Sequence, residues 1–345
     1  MRFRQYARQQ KDFPRDGEDR PFPPRTFDKA PPMIYRQKNK KLLILSHSKG
    51  DAMDTKKCAV LLRAVESGSL TTAAEELGYT PSGVSRIIAS LEKEAGFPLL
   101  RRNHTGVSLT REGEPLVPVL RELVRTAGQF AETSAQIRGV ECGSVTVGAA
   151  YGVYYPLLAR LVAEFGRLHP GIAVSIAEGL SSDLAAMVEE GRADFCVISR
   201  REGSFQWTPL CNDKLVVWVP AGHWSVARGA FPAEAFASEP YIEMYPGRES
   251  DNSRYFAVHG ITAAARCSTS EVSAAFAMVE AGLGVALMNG ILQRPASPRV
   301  ASVPLDPPES VKIGLAWPKE EFLSPAARTF AAFARGEFLK NRRLP

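Results

Sequence analysis

The sequence predicts an all-α module carrying a small two-stranded wing, then a long helix, then an α/β module in two parts. Three observations predict it. Three consecutive apolar stripes at helical spacing run from Cys58 to Leu91. A 4-3-4-3 apolar spacing runs from Leu116 to Ile137, and strand-like apolar runs alternate with amphipathic helices from Cys142 to Phe333. A chain of 345 residues has room for two or three domains, each burying its own core.

The stripes are Cys58, Leu61, Leu62 and Val65; Leu70, Ala73, Ala74 and Leu77; and Val84, Ile87, Ile88 and Leu91. Gly68 ends the first helix, and Ser69 and Thr71 are candidate N-caps for the second. Gly78 ends the second, and Thr80-Pro81 opens the third with a capping hydroxyl and a proline at its first position. Ala73 and Ala74 let the second helix lie close under the third. This is the pattern of a helix–turn–helix over Leu70 to Ala89, whose last helix enters the major groove of double-stranded DNA. Thr80, Pro81, Ser82, Ser85, Arg86 and Ser90 stand on or near the face away from its stripe. Small hydroxyl side chains permit close approach to the groove floor, and Arg86 can reach a guanine edge or a phosphate. Two short β-like runs around Thr105-Gly106 predict the wing, with Arg101 and Arg102 as backbone anchors. Taken alone, the stripes also suit a three-helix bundle used for protein contacts.

The stretches SGSLTTAAEELGYTPSGVSRIIASLEKEAGFPLLRR and GVSLTREGE, within Met53 to Gly139, resemble the DNA-binding half of LysR-type transcriptional regulators. Further on, YYPLLARLVAEFGRLHPGIAVSIAEG, EEGRADFCVIS and MVEAGLGVALM are similar to the effector half of the same family, so the resemblance extends to about Phe333. It implies an N-terminal winged helix–turn–helix, a linker helix that pairs two copies, and a C-terminal periplasmic-binding-protein-like (type 2) effector domain of two subdomains with a ligand cleft between them. One departure stands out: Pro81 occupies a position where many members carry a glutamine, so that base contact is absent and the operator cannot be borrowed from relatives.

The expected boundaries are 53–110 for the DNA-binding domain, 111–139 for the linker helix and 140–340 for the effector domain. Within the last, 143–214 and 319–340 form the first subdomain and 215–318 the second.

The net charge is +6, but residues 1–52 hold thirteen Lys/Arg against six Asp/Glu, leaving the rest of the chain at −1. DNA affinity must then come from a local patch of Arg86, Lys93, Arg101, Arg102 and Arg111. The first 52 residues, rich in Arg and Pro, read as a disordered basic extension. They are expected not to belong to the natural protein, because Lys49-Gly50-Asp51-Ala52 can be encoded with a purine-rich ribosome-binding sequence just before a start at Met53. No apolar run approaches a membrane span, and Leu42-Leu43-Ile44-Leu45 is too short for a signal-peptide core. A cytoplasmic location is expected, with five scattered cysteines as reduced thiols. No CxxC or histidine cluster suggests a metal, and no cofactor fingerprint is present.

From Leu116 the seam continues through Leu120, Leu123, Ala127, Phe130, Ser134 and Ile137. A helix packed on its own domain would show the same spacing; the resemblance favours a homodimer, or a homotetramer built from two. Pro118 is expected to kink this helix or reset its first turn. A dimer presents two recognition helices, so an interrupted inverted repeat is the expected target, with RNA polymerase as a further partner if the protein activates transcription.

In the effector half, strands are expected at Ser144–Gly148, Ile172–Ala177, Asp194–Ser199 and Lys214–Pro220. Helices are expected at Pro156–Leu168 and Ser182–Glu190. The chain should cross between subdomains near 214–220 and 312–319, with Val311–Trp317 as a return strand. Strand C-termini facing helix N-termini suit a carboxylate or another anion. The candidate lining is Ala150, Tyr151, Tyr154, Ser181, Ser182, Ser199, Arg200, Thr269 and Ser270, although each hydroxyl could equally be an N-cap and each tyrosine could pack in the core. Ala150 stands where relatives often carry Ser or Thr, so anion contact is weakened there. No nucleophile elbow, phosphate loop or paired Cys/His arrangement points to catalysis. The alternatives are an enzyme, or a redox-responsive regulator switched through Cys196 and Cys211.

Overall fold

Hydroxyl and carboxylate caps place the N-terminal helices. The computed structural model describes residues 54–103, 106–139, 141–292 and 297–340, with two short strands at 34–35 and 43–44. The chain divides into two units, Met1–Ala52 and Met53–Pro345. In the first, β1 (Ile34–Tyr35) pairs antiparallel with β2 (Leu43–Ile44). The expectations for the rest of that extension, for a start at Met53 and for Thr105 at the wing tip fall outside the described residues.

In the second unit, α1 (Thr55–Ser67) begins behind Asp54, whose carboxylate accepts from the Lys56 N–H at 2.9 Å. The Ser69 hydroxyl caps α2 (Leu70–Leu77) by accepting from Thr72 N–H at 3.3 Å. Gly78 then turns the chain with φ +69°, a left-handed conformation that glycine adopts without a Cβ clash. The Thr80 hydroxyl accepts from Gly83 N–H at 3.1 Å to start α3 (Pro81–Ala95), with Pro81 where a missing N–H costs nothing. β3 (Leu100–Asn103) and β4 (Gly106–Leu109) form the antiparallel wing. Glu92 pins its base by accepting from the Leu99 and Leu100 N–H groups at 2.8 and 3.1 Å.

The three stripes converge on one core with Leu99, Val117 and Leu120. Leu77, the last residue of the two-turn α2, is the exception at 38% exposed. Val60 and Ala64, outside the stripes, are buried.

A 3₁₀ turn at Glu114–Leu116 precedes α4 (Val117–Ile137), and Pro118 lies in its first turn, so it starts the helix instead of kinking it. Leu116 and Leu120 pack into the helix–turn–helix core. These first two seam positions therefore serve their own domain, whereas Phe130 and Ile137 are 76% and 82% exposed. The opposite side of α4 lies on the effector half, where Arg125 and Gln129 donate to Phe322 O at 3.0 and 2.8 Å and Arg121 pairs with Glu190 at 2.7 Å.

The effector half runs β5 (Gly143–Ala149), α5 (Tyr155–Leu168), β6 (Ile172–Glu178), α6 (Ser181–Glu189), β7 (Phe195–Ser199) and β8 (Gln206–Pro220). There follow α7 (Trp224–Arg228), β9 (Phe231–Pro232), β10 (Tyr241–Met244), α8 (Asp251–His259), β11 (Ala265–Thr269) and α9 (Val272–Glu280). Last come β12 (Ala286–Asn289), β13 (Val300–Asp306), β14 (Ser310–Trp317) and α10 (Pro325–Lys340). The first subdomain's sheet has the order β6-β5-β7-β14-β8, parallel from β6 to β7 and antiparallel thereafter. The second is built on the C-terminal half of β8, which pairs antiparallel with β12 and β13, while β10 pairs parallel with β11.

Strand β8 starts eight residues before the expected Lys214. Its N-terminal half contains Pro209 and has no apolar run, and a register shift opposite Gly314 lets the proline sit in the ladder. All of β14 bonds within the first sheet, so the chain has crossed back before Ser310, and 310–317 belongs with the first subdomain instead of the second. Among the described residues no helix is long and apolar enough to cross a membrane.

Candidate DNA surface and effector cleft

Helix α3 divides by face. Val84, Ile88 and Leu91 are buried, whereas Pro81, Ser82 and Arg86 are exposed. Thr80 is engaged as the cap, with its hydroxyl 3.2 Å from that of Ser82. Ser85 accepts from Arg102 Nη2 at 2.8 Å, which brings the wing's guanidinium against the helix. Arg101 lies along the wing, its Nε donating to Leu109 O at 3.2 Å. Ser90 departs from the expectation. It accepts from Lys57 Nζ at 3.0 Å, and Lys57 also pairs with Glu94, so this hydroxyl links α3 to α1.

The second site lies where the ends of the first sheet's strands face the start of α8. Ala150, Tyr151, Ser181, Arg201, Asp251 and Asn289 are among its lining, together with Tyr245 and Met288. Ser199 ends β7 fully buried, and its N–H donates to the Ser181 hydroxyl at 3.0 Å. Arg201, 7% exposed, donates through Nε to Ser182 at 2.8 Å and through Nη1 to Ser199 at 2.6 Å. Asp251 receives the Tyr151 and Ser199 hydroxyls, each at 2.6 Å, and Arg201 Nη2 at 3.0 Å. Burial, reinforced by the Asp251 charge, pushes the Tyr151 phenol well above its ordinary pKa and keeps it a donor.

The structure thus gathers Ala150, Tyr151, Ser181, Ser182 and Ser199, but not the other candidates. Arg200 is exposed, its guanidinium 4.9 Å over the Trp207 ring; past the end of β7 its neighbour Arg201 turns inward instead. Tyr154 is buried in the first subdomain's core with its hydroxyl 3.6 Å from Cys211 Sγ. Thr269 accepts from Glu271 N–H at 3.0 Å ahead of α9, and Ser270 is exposed; neither lines the cleft. The residues that sequence reasoning missed come mainly from the second subdomain: Tyr245, Asp251, Asn252 and Asn289.

Cys196 and Cys211 are not poised for a disulfide in this conformation. β14 separates β7 from β8, with Ala316 opposite Cys196 and Ile313 opposite Cys211. The two cysteines are two strand spacings apart across the sheet and three residues apart along it, about 14 Å in all, and pack on opposite faces, so no disulfide forms without backbone movement. Burial also pushes the Cys196 thiol up to about 12, where it is a poor nucleophile. Among the described residues no His, Cys, Asp or Glu group could hold a metal ion.

Residues 55–114 match the family described as bacterial regulatory helix-turn-helix protein, lysR family, and residues 138–339 match the LysR substrate binding domain. The chain is similar to the uncharacterized HTH-type transcriptional regulator YybE of Bacillus subtilis (strain 168), with 26% identity across 78% of this chain and 94% of that protein. A full-length OxyR variant from Pseudomonas aeruginosa shares the fold at a TM-score of 0.60 and 20% identity, over 84% of this chain and 96% of that one. Full-length CbnR, solved in complex with its target DNA, does so at 0.52 and 19%, over 84% and 100%.

Proposed function

This chain belongs to the LysR family of helix-turn-helix transcriptional regulators, and from that premise we propose that it binds an interrupted inverted-repeat operator as a homodimer or homotetramer and answers to a small-molecule effector. The observation that carries this reading is the two-faced α3, whose buried stripe anchors it while Pro81, Ser82 and Arg86 face outward beside the Arg102 of the wing. Arg86 reads bases, and Arg101 and Arg102 hold the phosphate backbone. Two copies pair through Leu123, Ala127, Phe130 and Ile137 of α4, which places two recognition helices on successive half-sites.

The effector enters between the subdomains, against Tyr151, Ser181, Ser199 and Arg201, and its binding shifts how the subdomains close. The protein works in the cytoplasm and is not an enzyme; as an activator it would also touch RNA polymerase. Recovery of bound fragments from genomic DNA tests the reading. Wild type should enrich a two-fold-symmetric sequence that Arg86→Ala enriches far less, and the absence of any two-fold-symmetric sequence in the wild-type fragments would refute the reading.

A further inference from the structure

The effector cleft already holds a carboxylate, and it belongs to the chain itself. Asp251 projects from the start of α8 in the second subdomain into donors that come mostly from the first. Its Oδ1 accepts from Ser199 Oγ at 2.6 Å and Arg201 Nη2 at 3.0 Å, and its Oδ2 accepts from Tyr151 Oη at 2.6 Å and Asn289 Nδ2 at 3.3 Å. Four donors fill the acceptor capacity of a carboxylate. Four of the five N–H donors of Arg201 are thus engaged, Nε on Ser182 and Nη1 on Ser199 and the Arg200 carbonyl besides Nη2 on Asp251. Among the described residues lining it, the cleft therefore presents no free cation to an incoming anion.

The space that remains is about 40 Å³, room for water but far below the several hundred Å³ of a typical small-molecule site. The segment leading into α8 adds two further cross-subdomain ion pairs, Arg248 with Asp183 and Glu249 with Arg201 at 3.8 Å. It begins at Tyr245 with φ +56°, the one non-glycine residue with positive φ among the described residues. A bulky side chain is held in that region only where its surroundings over-determine it.

We infer that Asp251 is an internal ligand: its carboxylate occupies the seat that the carboxylate of an anionic effector would take, and it holds the two subdomains closed when no effector is bound. This rests on the proposed effector cleft and specifies it. An anionic effector acts by displacing Asp251 from Tyr151, Ser199 and Arg201, and removing Asp251 leaves a receptor for a small free monocarboxylate.

The test uses the full chain and sodium acetate, against sodium chloride at equal ionic strength. Asp251→Ala should gain saturable acetate binding by calorimetry and a rise in Tm of roughly 3–5 °C, while wild type shifts by about a degree or less. Adding Arg201→Met to Asp251→Ala should abolish the gain. A folded Asp251→Ala protein that ignores acetate, or a wild type that binds it equally well, overturns the inference.

Should the alanine variant not fold, Asp251→Asn keeps the shape and loses the charge. Amide exchange across 245–251 should then speed up about tenfold or more and slow again in excess acetate; unchanged exchange also overturns the inference. Acetate binding is read without DNA, whereas the regulatory role of the cleft is scored by operator affinity of the same proteins. Failure of one is thus distinguishable from failure of the other.

Discussion

Arg86 and Arg102 carry the same charge into different surroundings. Arg86 projects from α3 and is exposed, so Arg86→Ala should cost specific operator binding about tenfold or more while changing affinity for random DNA little. Competition titrations at fixed salt measure both, and equal losses would remove its role as a base reader. Arg102 also donates to Ser85, so its loss removes a tie between the wing and α3 besides the phosphate contact proposed for it. A second residue-scale expectation concerns buried acids. Burial pushes the carboxyls of Asp213 and Asp194 up to about 6, offset only partly by the Ile291 N–H in the first and the Thr146 N–H in the second. One oxygen of Asp213 has no hydrogen-bond partner. A folded-state pKa above the unfolded value of about 4 means the native state holds more protons between these limits. The stability each acid contributes is therefore full below about pH 4 and is lost as the pH rises through about 6. Asp213→Asn should gain on wild type by roughly 1–3 kcal/mol between pH 4 and pH 7, read as the difference between urea unfolding curves. A difference independent of pH would exclude this linkage.

At the scale of elements, α3 depends on its start. Thr80→Ala deletes the cap on Gly83 N–H and should cost about 1 kcal/mol by thermal or urea unfolding, with operator affinity falling further than random-DNA affinity as the first turn frays. The helix–turn–helix was legible because its signals are local: stripes, caps and turn residues lie within a few positions of one another and agree. The cleft was legible only on one side. Ser181, Ser182 and Ser199 stand at predictable strand and helix ends, but a one-residue difference past the end of β7 decides whether Arg200 or Arg201 turns inward. Asp251 and Asn289 reach the cleft from elements 50 and more residues away, brought there by the double crossing of β8 and β14. No local pattern encodes that. Tyr154 was misplaced for the opposite reason, since an aromatic beside a cleft and an aromatic beneath it have the same spacing.

At the scale of the whole molecule, affinity for DNA is a problem of number. Beyond residue 52 the chain is close to neutral, so that part brings no long-range field to the duplex and each wing and recognition helix contributes only a local patch. Pairing two copies makes the second half-site contact intramolecular, which can raise affinity by orders of magnitude without any new contact to DNA. The surface available for pairing is the outer stripe of α4, where Phe130 and Ile137 bury almost nothing against their own chain. Replacing both by glutamate should accordingly leave each chain folded, with an unchanged circular dichroism spectrum, because no core packing is lost; Tm should fall only by what dimerisation contributes. The same double variant should sediment as a monomer and bind the operator at least about a hundredfold more weakly. Its salt dependence on a single half-site should match wild type, since the phosphate contacts of each wing are intact. A double variant that remained dimeric, or a monomer with undiminished operator affinity, would move the dimer interface away from α4.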